Sequence, residues 1–276
     1  MMSLLKLLIF LISYFVLNFS LLSAQKQSGL VINETDNKPI EFVNIGILGK
    51  SIGTTSNALG KFDLNLNNQY NNDSLRFSSI GYAPYSIKVL EFKQLQYKTI
   101  TLKEQFYAIN EVAIRPHLYK PQTLGYTTHS KAFKVMFSQN LLGYEAGVYL
   151  KIKKTAQLKT IKLNIIECSY DTIFYRINIY KVNGKMDFQN ILTKPIYFTL
   201  SKDKIKDEIS IDISSENIWV TGDCLVTIEH VKGLGNGLLM LSANIIGRTY
   251  YRETSQANWI SVPAGMGLNV EANVEE

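Results

Sequence analysis

Glu229-His230 is the one place in this chain where a carboxylate and an imidazole are sequence neighbours. General acid–base chemistry needs both groups within reach of one reacting atom. The pair lies in "CLVTIEHV", an apolar, β-branched run that reads as a strand, and adjacent strand residues face opposite sides. The two side chains therefore diverge, and His230 reads as structural or exposed. His117 and His129 fall in a segment rich in Pro, Thr and Ser, with no partners in sequence that would make either a metal ligand. "KGLGNGLL" carries three glycines, but a phosphate loop works through the helix N-terminus that follows it. Here strand-like "LLMLSANI" follows, so a hairpin turn is expected. "SSENIWVTGD" offers oxygen ligands for calcium, yet it reads as a turn between strands. No catalytic residue, metal site or cofactor is expected.

Two other groups carry chemistry of a weaker kind. Trp259, Tyr251 and Trp219, with Tyr250, are aromatics of the sort that stack on pyranose rings, or that fill a sandwich core. Tyr250 and Tyr251 are adjacent, so one of them should point outward. Cys168 and Cys224 each sit in an apolar run, where a free thiol packs as a small hydrophobe. Export would also permit a disulfide between them.

The elements that must position these residues are nearly all strands. From Gln25 to Ile114, short β-rich runs alternate with Gly-, Asn- and Asp-containing turns. Phe62, Leu64 and Leu66 share one face of such a run, and "EFKQLQYK" allows one helical turn. About seven short strands at regular spacing argue for a β-sandwich over residues 25–114. The apolar pattern lapses across residues 115–130, where Pro116 and Pro121 mark an expected linker. Eight or more strands follow in residues 131–276, which suggests a second, jelly-roll-like sandwich. The fold class is therefore all-β, with two sandwich domains.

At the other end, residues 1–24 hold one cation, Lys6, then "LLIFLISYFVL", then "LLSAQ". This is the pattern of a signal peptide cleaved after Ala24. The apolar run is shorter than the roughly 20 residues of a spanning helix. The mature chain is expected to be exported and without a transmembrane segment. The whole chain carries +6, one less without Lys6, and the charges are scattered. No nucleic-acid partner is expected of such a protein.

One stretch, "LRFSSIGYAPYSIKV", places Gly81-Tyr82 between two strand-like halves. Gly81 can turn the chain sharply, and Tyr82 can lay its ring on the sheet. "GLVINETDNKPIEFVNIGILGKSIGTTSNALGKFDL", "LRFSSIGY", "ITL" and "NEVAI" together resemble the carboxypeptidase-regulatory-like domain, over residues 28–114. The resemblance implies a prealbumin-like sandwich of the kind found in exported Bacteroidetes-type proteins, where it is an accessory module without peptidase activity. It often precedes a transporter barrel. Only one further small domain follows here, so no transporter function is carried over. The later strands look like the jelly-roll domains that accompany such modules.

These readings converge on a non-enzymatic, exported interaction or scaffold protein. It is expected in the periplasm or at the cell surface, as an accessory subunit with an envelope or outer-membrane partner. The alternative is a carbohydrate-binding module that uses Trp259, Tyr251 and Trp219.

Overall fold

The computed structural model describes residues 25–105, 118–138 and 141–276. The leader at 1–24 and the closing "NEVAI" of the first domain lie outside the described residues. Residues 25–105 form β1 (Gln25–Asn33), β2 (Asn44–Ile47), β3 (Gly53–Thr55), β4 (Lys61–Leu66), β5 (Ser74–Ser78), β6 (Tyr85–Lys88), the short helix α1 (Val89–Gln94) and β7 (Thr99–Leu102). Two sheets, β4-β1-β7 and β3-β2-β5-β6, close over one core. In β4 the predicted alternation holds: Phe62, Leu64 and Leu66 are buried, and Lys61, Asp63 and Asn65 are exposed. Phe62, Phe77 and Phe92 meet at the centre, with ring centroids 5.6 to 6.1 Å apart. Each such ring contributes about 1.5–3 kcal/mol by leaving water. The regular alternation of short strands and turns thus builds the expected sandwich.

The second sandwich contains β8 (Tyr119–Gly125), β9 (Phe133–Ser138), β10 (Glu145–Leu150), β11 (Thr155–Cys168), β12 (Thr172–Gly184), β13 (Asp187–Asn190), β14 (Ile196–Ser201), β15 (Glu208–Asp212), β16 (Trp219–Thr221), β17 (Cys224–Glu229), β18 (Leu238–Asn244), β19 (Thr249–Arg252), β20 (Ile260–Val262), β21 (Gly265–Met266) and β22 (Leu268–Glu275). One sheet runs β13-β12-β17-β10-β19-β20, with β14 also on β12. The other runs β21-β18-β11-β22-β8, with β15, β16 and β9 attached. Ile177, Ile179, Val226 and Ile228 from the first face Leu163, Leu241, Leu268 and Val270 from the second in a separate core.

Two local expectations change. Within the expected linker 115–130, residues 119–125 form β8, an edge strand paired with β22 along its length. Its polar composition fits a strand with most of its side chains in water, and an edge tolerates Pro121. "KGLGNGLL" joins β17 in one sheet to β18 in the other, so it is a crossover between layers, not a hairpin.

Candidate functional site at the junction of the two sandwiches

Both strands at the docking surface of the first domain are narrow by sequence. All four residues of β2 are buried, because Ile45 and Ile47 enter their own core while Asn44 and Gly46 meet the second domain. A Cβ on Gly46 would lie 2.2 Å from the Ser255 carbonyl oxygen, and one on Gly53 2.4 Å from the same atom. Only glycine permits this approach. Phe42 packs its ring against Phe174 and Tyr197, at 5.1 and 5.4 Å. Thr55 Oγ1 donates to the Val231 carbonyl at 2.8 Å, and Gln256 Nε2 to Ser78 Oγ at 2.8 Å.

Beneath this lid lies a row of charges. Pairing across four strands puts Arg176 of β12 opposite Glu229 of β17, Glu229 opposite Glu145 of β10, and Glu145 opposite Arg252 of β19. Both carboxylates are fully buried and Arg176 nearly so. Arg176 donates through Nε and Nη2 to Glu229 Oε2 at 3.1 and 2.7 Å, and through Nη1 to the Phe42 carbonyl at 2.8 Å. A further Nη2 bond reaches Asn44 Oδ1. Asn44 Nδ2 donates to Glu229 Oε1 at 2.9 Å, so the first domain supplies ligands to both members of the pair. On the other side, Arg252 holds Glu145 Oε2 through Nε at 2.7 Å and Nη2 at 2.6 Å. Tyr180 Oη donates to Glu145 Oε1 at 2.8 Å, and Thr227 Oγ1 to the same atom.

Burial pushes the Glu145 carboxyl above the usual carboxylate range; Arg252 pulls against this, while the Glu229 charge adds to it. Burial acts upward on Glu229 as well, but Arg176 and Arg252 hold it below its ordinary value. The row contains two cations, two anions and a donor for every carboxylate oxygen. Such an arrangement is a structural lock: every carboxylate oxygen accepts at least one hydrogen bond from within the protein. Among the described residues, no three His, Cys, Asp or Glu side chains stand together as a metal site.

Of the sequence-predicted residues, Glu229 belongs to the row and Trp259 packs against its Arg252, while the others fall elsewhere. His230 is buried on the opposite side of β17 from Glu229, its ring 5.5 Å from Tyr175. Burial lowers its pKa, and Nε2 has no hydrogen-bond partner among the described residues. His117 lies outside the described residues. Gly49-Lys50-Ser51-Ile52-Gly53 has the G-x-S-x-G spacing of a nucleophile elbow. Its context is strand–turn–strand and Ser51 is exposed, whereas an elbow needs strand–turn–helix and a histidine.

The three glycan candidates do not converge. Trp219 stands on the sheet of β11, where Nε1 donates to Asn217 and the ring meets Tyr119 edge-on at 5.4 Å. Tyr251 turns toward the core and Tyr144. Its neighbour Tyr250 is the one facing out. It joins Phe188, Trp259 and Tyr149 in an aromatic strip with centroid distances of 5.3 to 6.1 Å. Arg252 packs over the Trp259 ring at 5.1 Å. Cys168 and Cys224 both stand as free thiols in this structure. Cys224 faces the core from β17, and burial pushes its thiol up to about 12.

Gly81 and Tyr82 return at this junction. Gly81 adopts φ +86°, and a Cβ there would come 3.1 Å from the Thr193 carbonyl of the second domain. The Tyr82 ring packs against the first core as expected, although its hydroxyl finds no hydrogen-bond partner among the described residues. Both residues line a cleft of about 450 Å³ between the domains, with Arg76, Ser78, Phe188 and Gln189. A larger hollow of about 920 Å³ lies on the other side of the junction, with walls from β1, β4 and the residues after β17.

With this geometry in place, the first sandwich can be compared with known families. Residues 27–114 match the CarboxypepD_reg-like domain. That domain is a regulatory, non-catalytic, Ig-like fold. No curated protein matches the chain. Among solved structures, the infectious bursal disease virus VP2 subviral particle is 9% identical, with a TM-score of 0.16 over 84% of this chain and 60% of that chain. The Gt strain of the same virus is 10% identical, with a TM-score of 0.14 over 92% of this chain and 66% of that chain. The chain spans less than two thirds of either, and likeness at this level carries no argument about fold or function.

Proposed function

We propose that the protein is a non-enzymatic, exported interaction subunit of a cell-envelope assembly, in which the CarboxypepD_reg-like domain and the second sandwich act as one unit. The observation that carries this reading is the buried, paired charge row. A buried, fully paired set of polar groups fixes which surfaces meet and at what angle, a role for which polar networks suit better than apolar contact. The chain invests its buried polar groups in holding two accessory-type sandwiches together. Every carboxylate oxygen of the row already accepts a hydrogen bond. The leader pattern of residues 1–24 supports export, and the Bacteroidetes-type resemblance supports an outer-membrane setting, on the periplasmic or surface side. Affinity purification of the tagged mature protein from its host envelope, with mass spectrometry, tests this. A stoichiometric envelope partner is expected; recovery of the protein alone would count against it.

A second reading is carbohydrate binding, favoured by the outward strip of Trp259, Phe188, Tyr250 and Tyr149. Glycan-array binding that disappears in Trp259→Ala is the expected result, and an array without signal would reject it.

A further inference from the structure

We infer that the cleft between the two sandwiches is a binding site for a carboxylate-bearing saccharide, held through Arg76. The inference rests on the carbohydrate reading and adds to it the place, the charge and the anchoring residue.

Arg76 stands out among the described arginines. Arg176 and Arg252 are neutralised by Glu229 and Glu145, and Arg248 donates to Ser261 Oγ at 3.1 Å. Among the described residues Arg76 has no hydrogen-bond acceptor, and its buried Nε is unpaired. A planar guanidinium that is partly open to a cleft matches a carboxylate with charge-assisted bonds. Register explains where it points: Arg76 lies opposite Gly46 on β2, and Ser78 lies opposite Asn44. Arg76 thus shares the face that carries Asn44 and Ser78 toward the second domain, and it lines the cleft.

The opposite wall is the β12–β13 hairpin. Asn183, Asp187 and Gln189 line the cleft from there, and none of their side chains makes a hydrogen bond within the described residues. The Asn183 and Gln189 amides can both accept from and donate to sugar hydroxyls, and the Asp187 carboxylate can accept from them. Phe188 supplies an apolar ring on the same wall and continues into the aromatic strip through Trp259, 5.3 Å away. The volume of about 450 Å³ falls in the ordinary range for small-ligand sites.

The test uses the mature chain carrying Trp219→Phe, so that Trp259 reports alone by fluorescence. The probes are a glucuronate-bearing disaccharide, cellobiouronic acid, and its neutral parent, cellobiose. The acidic sugar should bind at least tenfold more tightly than the neutral one. Arg76→Met should erase that preference, and Gln189→Ala should weaken both ligands severalfold. Arg76 has no hydrogen-bond partner among the described residues, so the Arg76→Met variant should melt at the parent temperature. Equal affinities that ignore Arg76→Met would overturn the anchoring inference and leave carbohydrate binding standing. Failure of both sugars, and of longer acidic and neutral oligosaccharides, to bind would overturn the two together.

Discussion

Glu145 and Glu229 stand directly opposite each other on β10 and β17, and one side chain bridges them: Asn178 Nδ2 donates to Glu145 Oε1 at 2.8 Å and to Glu229 Oε2 at 2.7 Å. Like charges opposed across a ladder repel. Here the repulsion is offset by that amide and by an arginine on each flank. The first domain then closes over one end of the row through Asn44 and Phe42.

Removing one charge of this row should be far more damaging than its area suggests. Arg176→Met leaves Glu229 buried without its main cation, and breaking a buried pair costs about 3–5 kcal/mol. Urea unfolding should show that loss. Adding Glu229→Leu to it should restore part of the stability, because no orphaned charge remains.

The two carboxylates should act with opposite sign on acidification. Glu229 has a folded pKa below its ordinary 4.5, so its stabilising contribution is complete above that pH and is lost as pH falls through the lower folded value. Glu145 is raised, so its protonation begins earlier in the folded state and favours that state. Stability measured from pH 6 to pH 3 should therefore decline less steeply in Glu229→Gln than in the parent, and more steeply in Glu145→Gln.

His230 adds a milder dependence nearer neutrality. Its folded pKa lies below the ordinary 6.5 because burial disfavours the imidazolium. The unfolded chain takes the proton first, so stability is fully present above pH 6.5 and falls as pH drops below it. His230→Leu should flatten the thermal-melting profile between pH 7 and pH 5.5; an unchanged slope would assign it to other groups.

Docking should fail before folding does in Gly46→Ala. The new methyl group would meet the Ser255 carbonyl, a backbone atom with no rotamer to yield. Small-angle scattering should report an enlarged molecule with intact β-signal in circular dichroism. Retention of the parent radius would show that the 253–258 loop can shift instead.

Thiol chemistry offers a direct check on the cysteines. Cys224 should resist alkylation in the folded state, since its thiolate is suppressed by burial, while half-buried Cys168 reacts slowly. Denaturation without reductant should expose two alkylatable thiols per chain, and a mass showing none would establish the disulfide after all.

Much of the architecture was legible from residue order. The 3.3 Å rise and alternating faces of a strand force Phe62, Leu64 and Leu66 to one side, and that pattern needs no partner domain to be read. Gly81, with φ +86°, is likewise a local necessity of the turn it occupies. The separation of Tyr250 from Tyr251 also follows from strand geometry, but which of the two faces out does not: the side of the sheet that holds the core decides it.

What the sequence by itself determined is the strand succession, the two apolar cores and the CarboxypepD_reg-like character of residues 27–114. What only the tertiary structure decided is the fate of the polar face. Along β12 the residues Arg176, Asn178 and Tyr180 alternate with Ile177 and Ile179, the same pattern that a sheet with one face in water would show. Glu229 and Thr227 on β17 read the same way. The physical reason is that alternation encodes only which residues leave the local core. Whether the outward face then meets water or another domain depends on long-range contacts, such as Asn44 with Glu229, that lie 185 residues apart.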